Sequence, residues 1–171
     1  MITGDEVAFP VNVVNALAAR YKQLYVDTAP TPEEATDIKL RPLNNQDRSE
    51  TMGIYPGIWT PNEDSYEMRG MQYAGEPTLG RYLIMIQNFI KESDRERGAA
   101  KHSIFATRTR NVLYRDPVLR VALPQLVVTD LGVTERVKRW EVRSQRYFSN
   151  ELGGTWVYLS SLECLIETET T

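Results

Sequence analysis

The sequence predicts an α+β domain: a mostly antiparallel or mixed sheet packed against two main helices, with a long inserted loop. Three observations point to it. A nearly continuous apolar run fills 78–91, the pattern of a central strand covered on both faces. Two stretches, 10–26 and 95–115, repeat apolar residues at helical spacing. The last third holds two strand-like segments, 136–148 and 155–169, on either side of Gly153-Gly154.

The elements follow in chain order. In 10–26 the residues Val11, Val14, Leu17, Ala18, Tyr21, Leu24 and Tyr25 make one apolar face, and Pro10 suits a first turn that needs no N–H there. Thr28-Ala29-Pro30-Thr31-Pro32 ends that helix. A short strand at 37–41 stops at Pro42. Residues 43–77 carry Gly53, Pro56, Gly57, Pro61, Gly70, Gly75 and Pro77, and read as one long loop with a small hairpin at 65–73. The loop is rich in aromatic and methionine side chains, which either a partner or the protein's own core can bury.

After the strand at 78–91, Ser93 or Asp94 caps the helix 95–115. Ala99, Ala100, Ile104, Phe105, Val112 and Leu113 form its expected buried stripe, with the arginines outward. Asp116-Pro117 ends it, and 118–128 reads as a turn or short helix followed by an extended piece. In 136–148, Trp140, Val142 and Phe148 alternate with Arg139, Glu141, Arg143, Gln145 and Tyr147. Strict alternation would pack the first set on a core and hold the second outward as a charged row.

The 171 residues are read as a single domain, 1–171, large enough for its own core. The net charge of −3 is unevenly placed: −6 over 1–94, +7 over 95–148 and −4 over 149–171. Such asymmetry suits nucleic-acid binding or complementary faces on a self-assembling subunit, unless folding mixes the charges again. No apolar run approaches the roughly 18 residues that cross a bilayer, and Met1-Ile2-Thr3-Gly4-Asp5-Glu6 lacks the basic start of a signal peptide. One cysteine, Cys164, allows no intrachain disulfide, which suits a reducing cytosol.

Motifs that carry chemistry are scarce. There is no phosphate-binding glycine loop and no dinucleotide fingerprint. His102, the single histidine, reads as a half-buried helix residue, and Cys164 as a small core hydrophobe. Glu33-Glu34 and Glu63-Asp64 lack the spacing of a calcium loop. The Cys and His ligands of common zinc sites are missing too, so no metal or cofactor is implied. The basic residues of 95–115 and 136–146 are interrupted by Glu96, Glu135 and Glu141, which argues against base-specific reading.

The run Trp140-Glu141-Val142-Arg143-Ser144-Gln145-Arg146-Tyr147, followed by Gly153-Gly154-Thr155-Trp156-Val157-Tyr158-Leu159-Ser160-Ser161-Leu162-Glu163, resembles the closing strand pair of tail terminator proteins of long-tailed, siphovirus-like bacteriophages. The element order is similar along the whole chain; the residue-level resemblance covers about 78–169, and 43–77 is longer than the family pattern. The resemblance implies a structural, non-enzymatic virion protein assembled in the host cytoplasm. It implies a ring, usually of six copies, that caps the head-proximal end of the tail tube and ends its polymerisation. Its partners would be further copies, the tail tube protein and a head-completion or connector protein, with sequence-independent contact to passing DNA and no membrane. Arg139, Glu141 and Arg143 are then candidates for an intersubunit or lumen face, and Tyr55, Trp59, Met68 and Met71 for contact with the tube. Two alternatives stand beside it: a head-closure, connector or minor tail protein of the same neck, and a small cytosolic enzyme with a site built from 43–77.

Overall fold

The computed structural model describes residues 9–57, 78–130 and 133–170. Within them the chain is an α+β fold with one mixed six-stranded sheet. Its strands are β1 Asp37–Lys39, β2 Thr51–Pro56, β3 Thr78–Glu92, β4 Val127–Asp130, β5 Val133–Leu152 and β6 Thr155–Thr170. The helices are α1 Phe9–Tyr25, α2 Arg95–Arg115 and the short α3 Pro117–Ala122, followed by a single 3-10 turn at Leu123–Gln125. Across the sheet the order is β1-β2-β3-β6-β5-β4; β1 runs parallel to β2 and the other neighbours are antiparallel.

The three helices share one face of the sheet. Phe9, Val13, Val14, Leu17 and Tyr21 of α1, Leu113 of α2 and Leu119 of α3 meet Met52, Ile54, Ile84, Ile86, Leu162, Cys164 and Ile166 in one buried cluster. The α1 stripe recurs every four residues at 9, 13, 17 and 21, slightly rotated from the expected face. Tyr21 crosses the core and donates from its hydroxyl to Thr109 O at 2.7 Å, tying α1 to α2.

α2 starts and ends where its sequence predicts, with Asp94 accepting from Arg97 N–H at 2.7 Å. Its buried stripe is different. Gly98, His102, Ala106, Thr109 and Leu113 face the sheet, while Ala99 and Ala100 are exposed and Ile104 is 60% exposed. The sheet explains this, because it meets α2 with polar groups. Asn88 Nδ2 donates to Thr109 Oγ1 at 2.9 Å, Ser160 Oγ donates to Asn88 Oδ1, and Gln145 Nε2 donates to Ala106 O. Tyr158 lies against Gly98, where an added Cβ would sit 2.5 Å from the ring, so the helix approaches closely only because that residue is glycine. His102 is buried rather than half-buried, between the rings of Tyr147 and Tyr158.

The stretch 43–77 is not loop throughout. Thr51–Pro56 forms β2, inserted between β1 and β3. Gly53 and Pro56 hide that strand in the sequence, yet Gly53 has a packing reason. A Cβ there would lie 2.7 Å from Arg41 O and 2.9 Å from Leu43, which fold over the sheet. The hairpin expected at 65–73 lies outside the described residues. The expected strand at 37–41 is shorter, ending at Lys39. The piece at 118–128 resolves into α3, the 3-10 turn and the start of β4.

β5 and β6 form a long hairpin around Gly153 and Gly154, whose φ values of 61° and 82° match a two-residue turn with both residues left-handed. Two register shifts, between Val137 and Arg139 and between Val142 and Ser144, break the simple alternation of β5. Trp140 and Val142 pair beside the core-facing Ile166 and Cys164, as the alternation predicts. Past the second bulge the faces exchange. Gln145 and Tyr147 now turn toward α2, and Phe148 lies on the opposite face beside Leu159.

Candidate assembly surface

The face of the sheet away from the helices is built in rows by the strand register. Arg139, Glu167 and Arg81 form one row; Glu141, Leu165 and Leu83 the next; Ser144, Glu163, Met85 and Tyr55 a third. Arg146, Ser161, Gln87 and Gly53 follow, then Phe148, Leu159, Phe89 and Thr51. Leu43 crosses this face, its N–H donating to Gln87 Oε1 at 2.8 Å. That segment is held in turn by Arg41, which binds Asp47 at 2.5 Å. Three of the sequence candidates, Tyr55, Arg139 and Glu141, therefore share one face, with Tyr55 three strands from β5. Tyr55 lines a cleft of about 630 Å³ with Leu40, Arg41, Leu83, Met85 and Glu163. Arg143 is the extra residue of the second bulge, 3.8 Å from Glu141. Trp59, Met68 and Met71 lie outside the described residues.

Arg139 is engaged within the subunit. It pairs with the buried carboxylate of Glu167, which also meets Arg81 at 3.1 Å. Hydrogen bonding from Arg139 holds the Glu167 carboxyl below the usual carboxylate range despite its burial. Folding thus neutralises part of the sequence's charge asymmetry. Glu92 with Lys101 and Arg97 does the same. Other charges have no ion-pair partner among the described residues: Lys138, Arg146 and Arg110 on the β5 side, and Asp27, Glu33, Glu34 and Glu50 on the β1 side.

Sequence reasoning missed the outer edge of β5. β4 pairs only with Val133–Arg136, and β5 continues to Leu152. The next stretch is covered: Trp140 Nε1 donates to Leu113 O, and Val142 N–H donates to Tyr114 Oη, both at 2.9 Å. From Arg143 to Leu152 no strand lies outside β5 among the described residues. This run of ten residues, about 33 Å at strand rise, carries Tyr147 and Phe148 at 55% and 56% exposure, together with the exposed Leu152. An open edge of that length with large apolar side chains is a template for pairing with another chain. The sequence carried no signal for it, because the edge depends on where β4 stops, at Asp130. Among the described residues, no group of three or more His, Cys, Asp or Glu could hold a metal ion, and no helix is long and apolar enough to cross a membrane. In comparisons with known proteins, no family model and no curated protein matches the chain.

Proposed function

We propose that this chain is a structural virion protein that caps the head-proximal end of a phage tail tube as a ring, ending tube polymerisation and presenting the surface to which the head joins. The observation that carries the reading is the open outer edge of β5, Arg143–Leu152, along which Tyr147, Phe148, Arg143 and Arg146 are exposed. The resemblance of the closing hairpin to tail terminators gives that edge its context. A subunit whose two sheet edges differ in length and charge makes heterologous contacts, and these close into rings when the rotation fits. The partners are further copies, the tube subunit on one side and a connector on the other. Polymerisation of purified tail tube subunits with and without this chain tests the reading by electron microscopy. Shorter tubes with a ring at one end are expected. Tubes of unchanged length and bare ends at excess chain would refute it.

A further inference from the structure

The two edges of the sheet are opposites, and this suggests how copies join. We propose that the open edge of β5 docks against the β1 edge of a second copy, with Tyr147 entering the groove between α1 and β1. The inference rests on the reading that copies of this chain assemble. β1 is the opposite edge of the same sheet, with no strand outside it among the described residues. Beside it runs a groove of about 420 Å³ lined by Asn15, Ala18, Ala19, Lys22, Ile38 and Leu40. Its alanines make it shallow and apolar where a ring can lie.

Three features match across the two edges. The first is the face. Tyr147 projects to the helix side of β5, and the groove lies on the helix side of β1, because Ile38 pairs with the core residue Met52. In one continuous sheet both would be on the same side. The second is direction. β1 runs parallel to β2, and the successive antiparallel pairs through β3 and β6 leave β5 antiparallel to β1. Subunits related by rotation about an axis along the strands would therefore pair antiparallel, the more stable ladder. The third is charge. Asp27, Glu33, Glu34, Asp37, Asp47 and Glu50 outnumber Lys22, Lys39, Arg41 and Arg48 around β1, while on the open stretch of β5 Arg143 and Arg146 outnumber Glu151. Pairing of β5 with its own copy would instead join two edges of the same net sign.

Cross-linking tests this with Tyr147→Cys, Ala19→Cys and the double variant, treated with a short bis-maleimide. Both positions are exposed, so the variants keep the fold, and the native Cys164 is buried and stays silent. A ladder of multiples of the chain mass from the double variant, absent from either single variant, is the expected result. Tyr147→Ala should also weaken self-association by roughly tenfold or more in light scattering. Dimers from Tyr147→Cys alone would overturn the inference in favour of β5 pairing with itself. Oligomers that persist in light scattering without cross-links would overturn it and leave the capping reading standing. A strict monomer at every concentration would overturn it too, and the tube assay would then judge the capping reading separately.

Discussion

Asp116 stands at the junction of three helices, and its replacement gives a quantitative test of what holds them together. Its carboxylate accepts from Arg20 Nη2 at 2.6 Å and Arg20 Nε at 2.9 Å, which anchors α1. It also accepts from Leu119 N–H at 2.8 Å as the N-cap of α3. Loss of the cap costs about 1 kcal/mol. Loss of the forked pair costs a further ~1.5 kcal/mol, near the lower end for bonds to a charged group, because Arg20 keeps some water and Gln23 Oε1 at 3.1 Å. Asp116→Ala is therefore expected to lose about 2.5 kcal/mol. With a urea slope of about 2 kcal/mol/M, the midpoint should fall by roughly 1.2 M. Asp116→Asn keeps a capping oxygen and should lose only the ~1.5 kcal/mol of the pair. Arg20 holds the Asp116 carboxyl below its usual range. The pair's stabilisation is thus present above the unfolded value near pH 3.9 and is lost as pH falls through the depressed native one. Asp116→Asn should remove that part of the acid dependence. A loss below about 1 kcal/mol in Asp116→Ala, or an unaltered acid limb in Asp116→Asn, would refute the reasoning.

Burial pushes the His102 imidazole down, against a smaller opposing contribution from the Asn88 backbone. Stability should be full above pH about 6.5 and decline below it, levelling once pH passes the depressed native value; urea midpoints from pH 8 to 5 should lose this slope in His102→Gln. Gly154 has φ +82° and no atom within 4 Å of an added Cβ, so Gly154→Ala costs only backbone strain, about 1 kcal/mol by chemical denaturation, and a larger loss would mean an unrecognised contact. The Cys164 thiol is fully buried and pushed up to about 12, so a disulfide reagent should label it only as fast as the core opens. Prompt labelling in native buffer would show that the β3–β6 core is breached.

What the sequence disclosed was what local rules govern. The ends of α2 follow from Asp94 and Asp116-Pro117, the hairpin turn from paired glycines, and the central β3 from its apolar run. What it concealed depends on contacts between distant residues. Gly53 reads as loop until Arg41 and Leu43 are seen above it. The α2 stripe reads as aliphatic until Asn88 and Ser160 present a polar surface, so that Thr109 and His102 turn inward and Ile104 outward. Of the candidate residues, Tyr55, Arg139 and Glu141 converge on one sheet face, but Arg139 already serves Glu167. The open edge was not legible because it depends on where a neighbouring strand stops.

The two bulges of β5 make the effect of a lost residue depend on where along the strand it is lost. Each adds one residue, so 135–137 and 145–147 keep one parity while 140–142 hold the other. Deleting Arg143 alone would straighten the second bulge: Ser144 would follow Val142 and still meet Glu163, so Tyr147 and Phe148 would keep their faces. Deleting Lys138 alone would likewise let Arg139 follow Val137 and still meet Glu167, with nothing downstream out of phase. Removing both would leave a regular strand in phase throughout, whereas deleting Glu141, between the bulges, would turn Val142 out of the core and hand its place beside Cys164 to Arg143. In-frame deletions along β5 should therefore have unequal effects, set by whether each bulge can absorb the missing residue.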